Sequence, residues 1–136
     1  MLGRFLAPFP ETKMLSREHL LIVEEEFLIA LDIQRVIESA NARQTVFARN
    51  FKEVEKLGDR LADFNLAIVT PPRLGTNDEH IAERLVAAGA AIVVCSAARA
   101  NLAGTSLDGS EVVYKPFSDD ELLAACRRAI EKRDAR

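Results

Sequence analysis

The sequence has no basic excess, few cysteines and histidines, and no long apolar run. Its 18 Lys and Arg stand against 21 Asp and Glu, for a formal charge of −3. A generic binder of nucleic acid or of anionic membrane would carry the opposite balance, so neither partner is expected. The longest apolar run is only five or six residues, far short of the roughly 20 that cross a bilayer. Met1 to Pro10 holds one Arg and a short apolar patch broken by two prolines. It has neither a long hydrophobic stretch nor a small-residue cleavage site, so it does not read as a signal peptide. Two cysteines, Cys95 and Cys126, are too few for a disulfide framework. Both lie in apolar segments and are expected as reduced core residues of a cytoplasmic protein. His19 and His80 are isolated and suggest no metal role. No Gly-rich phosphate loop and no nucleophile–His pair is visible, so an enzyme or nucleotide binder is the less favoured reading.

What is present is the alternation of an α/β domain. The 136 residues, 49% hydrophobic and 29% charged, are the size of one globular domain. Residues 1–18 read as an irregular N-terminal extension in which Phe5, Leu6 and Phe9 could pack on the domain or on a partner. Residues 19–134 read as the domain. Short apolar runs at 19–23, 45–48, 65–69, 91–95 and 112–114 predict buried strands. Between them, helical spacing is expected over 27–40, with Leu28, Leu31, Ile33, Val36 and Ile37 as its apolar positions. A helix over 51–62 is expected behind an Asn50 cap, and another over 78–88 that Gly89 ends. Residues 97–110 give only a weak helix. A last helix over 119–132 starts from a Ser118–Glu121 capping box. Strands without strong alternation, interleaved with amphipathic helices, imply a parallel sheet covered on both faces. The expected fold is a flavodoxin-like, doubly wound, five-stranded (βα)5 domain. Its ligand crevice should lie at the C-terminal ends of the strands.

The polar residues at those ends form an unusual set. Glu24, Glu25 and Glu26 follow the first strand, Thr70 the third, Ser96 the fourth, and Lys115-Pro116-Phe117 the fifth. Adjacent carboxylates repel unless solvent, a cation or a lysine neutralises them. Lys115 is placed to do so, by pairing with Glu24 or Glu25.

The segments "LLIVEEE", "LAIVT", "IVVCSA" and "VVYKPF", in this order, resemble the signature segments of response-regulator receiver domains, the CheY-like family. The likeness runs from about His19 to Lys132. The glycine-bearing stretch between Ser96 and Lys115 is more like the bacterial receivers whose fourth helix is reduced. The resemblance implies that Glu24 and Glu25 match an acidic pair that binds Mg²⁺. It implies that Ser96 matches a hydroxyl and Lys115 an ammonium that contact a phosphoryl group. Pro116 then matches a proline often preceded by a cis bond. Thr70 occupies the position of the phosphoacceptor aspartate.

Here the chain departs from the pattern. Phosphotransfer from a histidine kinase needs an ionised carboxylate that forms an acyl phosphate. A threonine hydroxyl is un-ionised and needs a base. The Mg²⁺ site loses one carboxylate, so affinity should fall. The family uses the backbone N–H two residues after the acceptor, and Pro72 has none. The aromatic switch position is Val112, and Tyr114 should point to the other side of the strand from Lys115. Simple structural readings stand beside these: a solvated acidic turn at Glu24–Glu26, local hydrogen bonds at Thr70 and Ser96, a solvent-facing Arg73. Arg127, Arg128, Lys132 and Arg133 suit the dipole of the last helix turn.

The sequence therefore reads as a stand-alone, degenerate receiver (a pseudo-receiver) of two-component, phosphorelay-type signalling. It would not be phosphorylated on Asp and would work by contact with a histidine kinase, a downstream effector or a second copy. A weak or vestigial Mg²⁺ site at Glu24 and Glu25 is the one cofactor expected. The alternative is a phosphorylation-competent regulator using Thr70 or a nearby acid.

Overall fold

The computed structural model describes residues 13–136. The expectations for Phe5, Leu6 and Phe9 fall outside the described residues. Five strands make one sheet: β1 (His19–Val23), β2 (Gln44–Ala48), β3 (Leu66–Val69), β4 (Ala91–Ser96) and β5 (Glu111–Tyr114). Their order is β2-β1-β3-β4-β5, and every pair is parallel. This is the flavodoxin-like doubly wound order. The helices are α1 (Phe27–Ser39), α2 (Phe51–Glu55), α3 (Asn77–Ala87) and α4 (Asp119–Asp134), with a 3-10 helix over Gly58–Asp63.

Successive strand residues face opposite sides, and the core divides accordingly. Leu20, Ile22, Leu66, Ile68 and Val93 pack with Ile33, Val36 and Ile37 of α1 and Leu122 and Cys126 of α4. Leu21, Val23, Ala67, Val69 and Val94 pack with Phe51, Val54, Ile81 and Leu85 on the other face. Leu15 is fully buried in the first cluster, and its N–H donates to the Ala40 carbonyl. The packed body thus includes residues ahead of β1. No helix among the described residues is long and apolar enough to cross a membrane.

Three local expectations are corrected. The helix over 51–62 is two pieces, because Gly58 takes a positive φ of 55°, which a right-handed helix cannot continue through. Residues 97–110 form turns and no helix. Only Leu102 and Leu107 are buried there, too few apolar residues to hold a helical stripe on the sheet. In α1, Leu28 and Leu31 do not face the core: they are 78% and 43% exposed. The buried stripe is Ala30, Ile33, Val36 and Ile37. At about 100° per residue, Leu28 lies on the face opposite Ala30.

The ends of the last two helices form as their residues imply. Thr76 caps α3 by accepting from the Asp78 N–H, and Gly89 follows with φ 96°. Ser118 and Glu121 make the reciprocal capping box of α4.

Candidate functional site at the strand ends

The chain reverses direction across the sheet between β1 and β3, and a crevice opens there at the C-terminal ends. The register sets what lines it. Val23 pairs with Val69, Val69 with Val94, and Val94 with Val112. Glu24 and Thr70 therefore leave the sheet side by side. The Thr70 N–H still donates to the Val23 carbonyl at 3.0 Å.

Glu24 is buried, whereas Glu25 and Glu26 are exposed. The Glu24 side chain is only 2% exposed and meets the Lys115 ammonium at 2.8 Å. Of the two partners proposed for Lys115, the structure selects Glu24. Its second carboxylate neighbour is Glu26 at 3.8 Å, in place of Glu25. A carboxylate so placed must satisfy its oxygens locally. Oε2 accepts the Glu26 N–H at 3.0 Å. Oε1, despite its nearness to Nζ, lacks a well-angled hydrogen bond. The ion pair is close but incompletely hydrogen-bonded.

Lys115 is held from its backbone too, its N–H donating to the Ser96 carbonyl at 2.8 Å. The Lys115–Pro116 bond is cis. Ser96 spends its hydroxyl locally: Oγ donates to the Ala98 carbonyl at 2.5 Å and accepts from the Ala98 N–H at 3.3 Å. Thr70 is half-buried. Pro72 is buried and has no N–H to offer. Arg73 is exposed and pairs with Asp78 at 3.1 Å. Val112 is half-buried and Tyr114 is 48% exposed. Cys95 shares the site's field. Burial pushes its thiol up to about 11, with Lys115 pulling the other way.

Mg²⁺ needs near-octahedral oxygen ligation. No group of three or more His, Cys, Asp or Glu side chains that could hold a metal ion occurs among the described residues. Glu24 is committed to Lys115 and to the Glu26 N–H, and Thr70 supplies only a neutral hydroxyl. These residues do not fit a Mg²⁺ site unless Glu24 leaves Lys115.

The opposite end of the sheet holds a second part-buried pair, one that the helix-dipole reading of the basic turn did not foresee. Arg133 Nη1 donates to Glu18 at 2.6 Å and to the Asn65 carbonyl at 2.7 Å. Its Nε donates to Asp134 at 2.9 Å. Burial opposes the guanidinium charge, but the bonds to Glu18 and Asp134 outweigh it and raise its affinity for the proton. Arg128 and Lys132 both pair with Glu111. Burial disfavours the Glu111 charge, yet the hydrogen bonds from Lys132 and Arg128 hold its carboxyl below the usual value.

No family model matches the chain, and no curated protein matches it. Solved structures do. The signal receiver domain of a modulated diguanylate cyclase from Desulfovibrio desulfuricans G20 is 21% identical, with a TM-score of 0.71 over 87% of this chain and 97% of that one. The signal receiver domain of an HD domain-containing protein from Pseudomonas fluorescens Pf-5 is 17% identical, with a TM-score of 0.71 over 88% and 98%. A response regulator receiver protein from Sinorhizobium medicae WSM419 is 17% identical, with a TM-score of 0.69 over 85% and 96%. At such identities the likeness is one of fold. The chain has the receiver fold.

Proposed function

We propose that this chain is a receiver-type domain of two-component, phosphorelay signalling that is not phosphorylated on Asp and acts by protein–protein contact. The observation that carries this reading is the pairing of Lys115 with buried Glu24 at 2.8 Å beside Thr70. In this arrangement a charge that would meet an incoming phosphoryl group is neutralised from within, and the nucleophile position holds an un-ionised hydroxyl. Its partners would be a histidine kinase or a downstream effector. The face for them is formed by residues 97–110, β5 and α4, where Tyr114 stands exposed. Mg²⁺ would bind weakly at Glu24 and Glu25, since it must displace Lys115.

Incubation with acetyl phosphate and Mg²⁺, read by intact mass, tests this reading. The expected result is an unmodified chain. A stoichiometric, base-labile phosphoryl adduct would overturn it, and an adduct stable to base would indicate an ester on Thr70 instead.

A further inference from the structure

A carboxylate withdrawn from water must be neutralised by a proton, a metal ion or a cationic side chain. Glu24, whose side chain is 2% exposed, takes the third course. The Lys115 ammonium lies 2.8 Å from its Oε1 and 3.8 Å from a Glu26 oxygen, so one charge serves two carboxylates. The contact with Oε1 lacks a well-angled hydrogen bond. Lys115 therefore acts on Glu24 by charge and nearness, as a bound metal ion does, more than as a directional donor.

The ammonium is also held in place. Its side chain is only 13% exposed, and its backbone N–H is tied to the Ser96 carbonyl. It lines a cleft of about 400 Å³ with Ile29, Ala97, Pro116 and Phe117. A tethered group of this kind has a high effective concentration. A divalent cation from solution would have to shed part of a tightly held water shell. It would also meet the repulsion of the ammonium while freeing Glu24 from it. Mg²⁺ and Mn²⁺ are commonly held by one or two carboxylates, with water completing the shell. Buried Glu24 and exposed Glu25 can supply that number only once Lys115 is gone.

We infer that Lys115 is the resident counter-ion of this crevice, standing in the place of a divalent cation at Glu24 and keeping the charge of the site independent of metal over the millimolar range. The inference rests on the reading above and names the regulation of that same site: contact with a partner is not switched by Mg²⁺.

Mn²⁺, which takes the same oxygen ligands as Mg²⁺, is the probe. Its free-ion electron paramagnetic resonance signal reads binding, and circular dichroism confirms that each variant folds. The wild-type chain is expected to leave the signal unchanged at about 1 mM Mn²⁺. Lys115→Met removes the ammonium and keeps much of the stem, and should bind Mn²⁺ about tenfold more tightly than wild type or better. Glu24→Gln added to Lys115→Met should abolish the gain. Lys115→Gln, with a polar stem, serves the same comparison if Lys115→Met does not fold. A wild-type chain that binds Mn²⁺ as well as the variant overturns the inference. So does a Lys115 variant that binds no better than wild type, or a gain that survives Glu24→Gln. The two failures are distinct: Mn²⁺ binding by the wild-type chain strikes the counter-ion, whereas a phosphoryl adduct from acetyl phosphate strikes the reading beneath it.

Discussion

Two part-buried ion pairs sit at opposite ends of the same sheet and are built differently. At the N-terminal edge, Arg133 ties α4 to Glu18 and to the Asn65 carbonyl through one nitrogen. The Asn65 side chain in turn accepts the His19 N–H at 2.8 Å. At the C-terminal edge, Lys115 faces Glu24 at 2.8 Å, yet Glu24 Oε1 has no aligned hydrogen bond and Glu26 waits at 3.8 Å. The first arrangement uses arginine's fixed fork to bind several groups at once. The second uses a flexible point charge that can exchange one carboxylate for another. A fully bonded pair serves the fold. A pair with a second partner at hand is able to rearrange, and it stands where the fold places a ligand crevice.

The largest expected effect comes from breaking the N-terminal pair. Glu18→Ala leaves Arg133 part-buried without its main partner and should lower stability by about 3 kcal/mol, seen as a lower midpoint in urea unfolding. Glu24→Gln, at the other end, should lose only about 1–2 kcal/mol. The amide can still accept the Glu26 N–H, and Lys115 can turn to Glu26 or to solvent. If the two losses are equal, the contrast between a structural and an exchangeable pair fails. A smaller effect is expected for Arg128→Ala. It removes one of two cations from Glu111, its own side chain is 54% exposed, and the loss should stay below about 1 kcal/mol and shrink further in high salt.

The smallest effect concerns the two thiols, one facing each pair. Burial pushes Cys126 up to about 12, with Glu18 adding to the shift. Burial pushes Cys95 up to about 11 from an ordinary 9.0. In the native protein both should resist a thiol reagent at pH 8 and react on unfolding, Cys95 with about a hundredfold less thiolate than a free cysteine. The folded protein keeps these protons when the unfolded chain has begun to lose them. Stability from this source is whole below pH 9 and drains away as the pH rises towards 11. Urea midpoints measured from pH 8 to 10.5 should therefore fall, and less steeply in Cys95→Ala. A rapid reaction of either thiol at pH 8 would show that its end of the sheet opens.

The sheet was legible because its strands are continuous runs such as Leu20–Val23 and Leu66–Val69. A strand covered on both faces leaves that mark on its composition. The caps at Asn50 and Ser118 were legible because they depend on residues three positions apart. The strand-end set of Glu24, Thr70, Ser96 and Lys115 followed from the same reasoning, since the position after a buried strand is known once the strand is. The outward turn of Leu28 was not legible. An apolar residue at nearly helical spacing reads as core unless the location of the neighbouring layer is known. The Arg133–Glu18 pair was equally hidden, as its members lie 115 positions apart.

The sequence by itself determined the doubly wound fold, the threonine at the third strand end and the scarcity of histidine and cysteine. These are matters of residue type and local period. Only the tertiary structure decided that Lys115 takes Glu24 before Glu26, that Ser96 turns its hydroxyl to Ala98, and that α1 leaves Phe27 and Leu28 uncovered. Each depends on distances of a few ångströms between distant segments. Local propensity does not encode such distances, and packing around the finished sheet sets them.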